Sequence, residues 1–312
     1  MATQAQIQLQ NSNYLDMLDD PGMQKQAADE GGDYIRLKLR EEGFSSKILE
    51  EEEVGNDLDI QLWTDKPVKI YQKETDVPMS VVVGYGQQPI NFYIRSSRFA
   101  VTPTTIMSPK VQKHKYELRT YKFDVRQVFA DNIVKDLQAA QDKALLTAVN
   151  TILVSAGTAL PGSGVAQWQN ISGGFSRSAV VTACRQVLQA TPYNIPVETN
   201  VINNITWAEH LKWQREEAGG DYSEKLLMKG AWATSKLLDE NWLVTIKRQL
   251  VANSTQYLFG PQKFLGKSVL FTPPTMYVEN KVPGVYSFFC MKEVGTTLAH
   301  TGALGKVTYL AA

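Results

Sequence analysis

VRQVFADNIVKDLQAAQDKALLTAVNTILV, residues 125–154, carries the strongest periodic signal in the chain. Val125, Phe129, Ile133, Leu137, Ala140, Ala144, Ala148 and Ile152 follow steps of three and four, the spacing that lines side chains along one helical stripe. Asp124 and Gln127 supply a capping-box pair, and Gly157 supplies a stop. Thirty helical residues would measure about 45 Å at 1.5 Å per residue, long for a globular domain. Such a helix needs something equally long to lie against.

The sequence before this helix reads as extended. Residues 34–98 contain the alternation Val68-Lys69-Ile70, the run Val81-Val82-Val83 and the segment 90–95, with turn signals at Asp76-Val77-Pro78 and Gly84-Tyr85-Gly86. A hairpin over about Trp63–Ile94 is marginal alone and requires a sheet or another chain beneath it. The run Glu50–Glu53 beside it reads most simply as a solvated face, the other reading being a partner for a basic patch on a neighbour. Phe99–Thr105 and Lys115–Tyr121 are expected strands around a basic loop holding Lys110, Lys113, His114 and Lys115. Residues 1–33 are polar, with spaced apolar residues such as Ile7, Leu9, Tyr14 and Leu18, and read as an arm, docked or solvated.

After the helix, residues 157–174 form a Gly- and Ser-rich connection. Beyond it a helix is expected from Ser178 to a stop at Pro192, a second capped by Thr206 and Glu209 through Trp207, Leu211 and Gln214, and a short third over Ser223–Met228. Strands are expected at Trp242–Ile246, Tyr257–Phe259, Ser268–Phe271, Val285–Met291 and Lys306–Leu310. Helices and strands are segregated, so the fold class is α+β.

Among 312 residues, 43% are hydrophobic and 21% charged, which excludes a wholly disordered or membrane-embedded chain. Basic and acidic side chains balance at 32 each, so no bulk field draws the chain to nucleic acid. The distribution is uneven: residues 1–60 carry 14 acidic and 5 basic groups. That asymmetry suits contact between copies. The N-terminus has no secretory pattern, no stretch suits a membrane helix, and the chain is expected to be soluble. Cys184 and Cys290 lack any Cys-x-x-Cys spacing, which argues against a disulfide scaffold or zinc site and for a reducing compartment.

Motifs for chemistry fail one by one. Gly266-Lys267-Ser268 resembles the end of a phosphate-binding loop, but Pro261 stands where the first glycine is required and a strand follows instead of a helix. Gly84-Tyr85-Gly86-Gln87-Gln88-Pro89 starts like a dinucleotide fingerprint and then reads as a loop. His114, His210 and His300 have no helical His partner, the spacing of Glu209, His210, Glu216 and Glu217 is not that of a metal pair, and Asp19-Asp20 and Glu216-Glu217 are ordinary acid pairs. Lys110, Lys113, Lys115, Arg119 and Lys122 with Tyr116 and Tyr121 form a basic stretch open to phosphate contact, to a solvated face or to a subunit contact. The six tryptophans read as core and interface anchors. No catalytic, cofactor-binding or metal residue is assigned, no cofactor is expected, and the chain is not expected to be an enzyme.

Taken in order, the parts are a polar arm, an extended hairpin, strands, one long helix, a glycine connection and an α+β domain. Residues 99–110 through 142–146, 199–209 and 264–271 carry this pattern, and with it the sequence resembles the major capsid proteins of tailed double-stranded DNA bacteriophages, the Hong Kong 97 fold. The resemblance runs from about residue 34 to the end, in pattern and order. It implies an N-terminal arm (1–45), an extended β-hairpin loop (46–97) lying over a neighbour, and a peripheral domain (98–172) with a spine helix at 125–154. An axial domain (173–290) and a C-terminal return to the peripheral domain (291–312) complete the division. It further implies a structural protein whose pentamers and hexamers close into an icosahedral shell around packaged phage DNA, without sequence-specific binding and without a membrane. A separate scaffolding protein, a portal, decoration proteins, assembly in the host bacterial cytoplasm and residence in the virion belong to the same expectation. The alternative within the fold is an encapsulin-type nanocompartment that encloses enzymes.

Overall fold

The computed structural model describes residues 13, 17, 23, 43–54, 61–63, 66–73, 82–88, 97–120, 125–153, 167–187, 195–209, 213, 236–237 and 240–310. Apart from residues 13, 17 and 23, the expected arm at 1–33 lies outside the described residues, as do Asp124, Gly157, Pro192, segment 90–95 and the expected helix at 223–228.

Helix α1 (Ser45–Ile48) leads into strand β1 (Glu50–Glu53), followed by β2 (Gln61–Trp63), β3 (Lys66–Lys73), β4 (Ser97–Val101), β5 (Thr104–Met107) and β6 (Val111–His114). Next come α2 (Lys115–Thr120), the long α3 (Val125–Ile152), β7 (Trp168–Ser172), α4 (Arg177–Gln186), β8 (Thr199–Asn203) and α5 (Asn204–Ala208). The chain ends with β9 (Lys236–Leu237), β10 (Glu240–Thr245), β11 (Thr255–Phe259), α6 (Gln262–Leu265), β12 (Gly266–Val282), β13 (Val285–Leu298), a 3-10 turn (Thr301–Ala303) and β14 (Leu304–Leu310).

Among the described residues the strands form three sheets. One has the order β1-β12-β13-β5, with β6 on the other half of β13. A second has the order β7-β14-β11-β8-β10-β9, and β2-β3-β4 form a small third sheet at the base of the extended segment. The helix α3 joins the first two, and at 28 residues it is about 42 Å long.

The six-stranded sheet is covered on both faces. Ala179, Val180, Ala183, Cys184 and Val187, on and just after α4, pack with Ile202, Trp207, Trp242, Leu258 and Val307. Leu145, Leu146, Val149 and Leu153 from the end of α3, with Phe44, Ile48 and Leu49 around α1, pack with Val201, Tyr257, Phe259 and Leu304. Every residue of β8 is therefore buried. Ser176 caps α4, its side chain accepting from the Ala179 N–H.

Several local expectations are corrected. Lys115–Tyr121 is expected as a strand, but Lys115–Thr120 is helical; charged and apolar residues alternate there, yet Lys, Glu, Leu and Arg are good helix formers, and Lys113 pairs with Glu117 one turn on at 3.6 Å. The expected basic loop contains strand β6. Asn203 caps α5 in place of Thr206, its carbonyl oxygen accepting from Ile205 N at 2.9 Å, while Thr206 Oγ1 accepts from Ser254 N at 2.8 Å. The glycine connection contains β7, paired in parallel with β14. Beyond Phe271, Pro273-Pro274 does not end the strand: β12 continues to Val282 through register shifts between Leu270 and Thr275, and a bulge is where a sheet tolerates residues that cannot donate.

The helical stripe also drifts. Ile133 and Leu137 are buried as expected, but Ala140 and Ala144 are exposed, and the buried line continues through Gln138, Gln141, Asp142, Leu145, Leu146 and Val149. Three polar side chains on the inner face conceal its course from a hydropathy reading. The C-terminal stretch divides between sheets: β13 belongs to the first and β14 to the six-stranded one.

Candidate functional site: the charged clasps around the long helix

The polar residues on the inner face of α3 hold its surroundings together. Asp142, fully buried, accepts from the Ser45 N–H at 3.0 Å and from Lys247 Nζ at 2.5 Å, so one carboxylate joins α1, α3 and the loop after β10. At the residue just before Asp142, Lys292 on β13 donates to Gln141 Oε1 and to Glu51 Oε1, each at 3.0 Å. Near the end of α3, Asn150 Oδ1 accepts from Lys306 Nζ at 3.0 Å and from Tyr257 O–H at 3.2 Å. The Lys306 ammonium lies 3.9 Å above the Trp168 ring, and burial pulls its pKa down. A charge taken from water is tolerated only where partners replace the solvent, and each of these lysines has such partners.

The glutamate run is a connector. Glu50 pairs with Lys267, Glu51 with Lys292, and Glu52 Oε1 accepts from Lys69 Nζ at 2.7 Å while Oε2 accepts from Tyr71 O–H at 2.9 Å. The solvated-face reading holds only in part: Glu50 and Glu53 stay exposed, whereas Glu51 and Glu52 are half-buried and paired within the chain, and β1 lies parallel to β12 with Glu50 beside Lys267 in register. The Lys69 hydrogen bond holds the Glu52 carboxyl below its ordinary range. Burial and the bond to Glu52 push Tyr71 up to about 12. Burial opposes the charge on Lys69, yet its bonds to Glu52 and Tyr71 leave its pKa raised.

Residues 82–88 include an exposed, uncharged turn. Gly84 O accepts from Gln87 N at 3.1 Å, Gly86 has φ +82°, and Val82 and Tyr85 are fully exposed. This agrees with the loop reading over residues 84–88; Pro89 and the residues that follow it lie outside the described residues.

Other singled-out residues have structural roles. Gly266 opens β12, and a Cβ on it would lie 2.2 Å from Thr297 O, so the glycine serves close strand packing. His300 Nδ1 accepts from Gly302 N, and His114 Nδ1 accepts from Tyr116 N while its ring stacks on Tyr116. Lys110 pairs with Glu279 as Lys113 does with Glu117, so two charges of the basic stretch are neutralised within the chain. Lys122, His210, Glu216, Glu217, Asp19 and Asp20, and the Arg119 side chain, lie outside the described residues. Among the described residues no group of three His, Cys, Asp or Glu is placed to hold a metal, and no helix is long and apolar enough to cross a membrane. Cys184 and Cys290 are buried free thiols, the latter pushed up to about 12 by burial. Trp207, Trp213 and Trp242 cluster around Phe175, with ring centroids 5.8–6.5 Å from it, as core anchors. Sequence reasoning missed Asp142, Lys247 and Lys292; Asp142 leaves a signal as a polar residue among the buried positions of α3, and the two lysines leave none.

No known family profile matches the sequence, and no curated protein does. Solved structures do match. The mature capsid of bacteriophage PhiM1 superposes with a TM-score of 0.55 at 8% identity, over 86% of this chain and 87% of that one. The capsid of a native GTA particle gives 0.56 at 14% identity, over 89% and 91%. A virus-like particle from Pyrococcus furiosus gives 0.54 at 11% identity, over 89% of this chain and 98% of that one. The chain has the Hong Kong 97 fold. At such identities the likeness is one of fold, carried by the order and packing of elements.

Proposed function

We propose that the chain is the major capsid protein of a tailed double-stranded DNA bacteriophage, and that its copies self-assemble as pentamers and hexamers into an icosahedral shell around packaged DNA. The observation that carries this reading is the near full-length superposition on capsid subunits, 85–89% of this chain for the PhiM1, P-SCSP1u and GTA capsids. The role is structural, and its residence is the virion, with assembly in the bacterial cytoplasm. The encapsulin alternative is not favoured by these neighbours.

In this reading residues 1–45 are the arm, 46–97 the extended loop, 98–172 the peripheral domain with its spine helix, 173–290 the axial domain and 291–312 the return. A scaffolding protein, a portal and decoration proteins are its partners. The exposed apolar turn at 82–88 supports an extended loop that finishes on a neighbour, since a lone uncharged tip is of no use to a monomer. Expression followed by negative-stain microscopy and a nucleic-acid assay tests the proposal. Large closed shells support it; a monomer under all assembly conditions, or a small shell filled with protein cargo, overturns it.

A further inference from the structure

Among the described residues, the base of the extended loop meets the body at β13 and at β1. At one, Val101 at the end of β4 packs over Gly295 of β13, where a Cβ would lie 2.5 Å from Val101 Cγ1 and 2.7 Å from Thr102 O. At the other, Glu52 of β1 grips Lys69 and Tyr71, two residues apart and therefore on one face of β3. Strand β1 is fixed in the five-stranded sheet, whereas β3 belongs to the small sheet of the loop. Lys69 pairs in register with Val101, and Tyr71 with Phe99, against which its ring is stacked at 5.6 Å. One contact is a close-packed pivot and the other a directional, charge-assisted hold beside it.

We propose that Glu52 is a positioning residue: by gripping Lys69 and Tyr71 it sets the angle at which the extended loop leaves the body, and through that angle the curvature of the assembled shell. The second half of this inference rests on the capsid reading. Three features support it. Both carboxylate oxygens are engaged, by donors of different kind, so the grip fixes direction as well as distance. Lys69 is buried, so its charge depends on Glu52 and Tyr71 for what water would otherwise supply. Tyr85 lies fourteen residues after Tyr71 in sequence, which bounds their separation at about 50 Å, so about 5° of rotation at the base would move Tyr85 by at most about 4 Å. That displacement is comparable to the length of a side chain, enough to shift a docked turn out of register with its receiving surface.

The test uses the full chain in four forms: wild type, Glu52→Gln, Tyr71→Phe, and the charge-swapped pair Glu52→Lys with Lys69→Glu. Hydrogen exchange on the unassembled subunit reads the grip directly. Amides of residues 66–73 and 97–101 should exchange about tenfold faster in Glu52→Gln, with residues 133–149 of α3 unchanged. Tyr71→Phe removes a single hydroxyl, so it serves if Glu52→Gln fails to fold, and it should show a smaller effect in the same segments. Microscopy of assembled particles should show one diameter for wild type, a broadened or shifted diameter for Glu52→Gln, and a return toward one diameter for the charge-swapped pair. Unchanged exchange at 66–73 overturns the grip. Faster exchange with unchanged particle diameter overturns the link to curvature. If wild type forms no shells, the capsid reading fails and curvature with it, while the exchange data still decide the grip.

Discussion

Lys247 Nζ lies 2.5 Å from Asp142 Oδ2, joining the loop after β10 to the inner face of the long helix from 105 residues away in sequence. Asp142 is wholly buried and its other oxygen accepts from the Ser45 N–H, so its charge is neutralised from two directions. Asp142→Ala should leave that N–H and Lys247 without their partner, at about 3 kcal/mol, near the low end for breaking a buried pair because Lys247 stays a quarter exposed. Asp142→Asn keeps an acceptor for Ser45 and should cost less. Urea midpoints of the three proteins check the order; equal midpoints would show that the clasp contributes nothing.

The drift of the helical stripe gives a contrast within two neighbouring positions. Leu145 is buried among Leu146, Val149 and Phe259, so Leu145→Ala should cost about 2–5 kcal/mol. Ala144 is exposed, and Ala144→Ser should change stability by no more than about 0.5 kcal/mol. Thermal unfolding of both variants distinguishes the observed face from the one that hydropathy alone suggests.

Gly295 lies under the crossing from β4 to β5. A Cβ there would lie 2.5 Å from Val101 Cγ1 and 3.0 Å from the Phe271 ring, and backbone at Thr102 blocks any retreat. Gly295→Val should therefore yield mostly insoluble protein, while Gly86→Ala, with nothing within 4 Å of its Cβ, should cost only the strain of a positive φ. The soluble fraction after expression reads the difference.

Acid and alkali should loosen the base of the loop from opposite ends. The folded pKa of Glu52 is depressed below 4.5, so its contribution is complete above that value and is lost as pH falls through the folded pKa. Lys69 is raised above 10.5, and Tyr71 from 10.0 to about 12. Their contributions are complete below the ordinary values and disappear as pH rises through the folded ones. The hold of β3 on β1 should then be greatest between about pH 4.5 and 10. Exchange protection of residues 66–73, corrected for the intrinsic pH dependence of exchange, should decline below that window first in wild type and not in Glu52→Gln. A flat ratio of wild type to variant through pH 3 would contradict it.

How much of this was legible depends on which physical signal each element carries. The helix 125–152 was readable because its first buried residues are apolar at helical spacing, and β10, β11 and β14 because they hold short apolar runs. Helix α2 was misread because six residues of alternating character satisfy both periods. The clasps were hidden for a different reason. Lys292, Glu51 and Gln141 are brought together from three separated segments, and a lysine or glutamate seen one at a time reads as surface. Pairing with β12 sets Glu50 beside Lys267, while Glu51 and Glu52 reach lysines on β13 and β3, so a run that reads as surface is partly a seam between three strands distant in sequence.

The turn at 82–88 separates a role in the subunit from a role in assembly. Val82 and Tyr85 are fully exposed, and Gly84, the residue between Val83 and Tyr85, has only the Gln87 side chain within 4 Å of a Cβ position. Replacing Val82 and Tyr85 by Ser removes no buried apolar surface, so the unfolding free energy of the isolated subunit should stay within about 0.5 kcal/mol of wild type. Between copies the same two side chains would bury their whole area, and at roughly 25 cal/mol per Å² their loss should weaken each contact by about 2–4 kcal/mol. A shell multiplies that loss over every subunit, so assembly should require much higher protein concentration or stop at small rings, as read by sedimentation velocity. A destabilised subunit would mean that the turn packs within its own chain. An unchanged subunit that still closes shells at the wild-type concentration would mean that the exposed tip meets no neighbour, and the reading of this segment as an extended loop that reaches another copy would have to be abandoned.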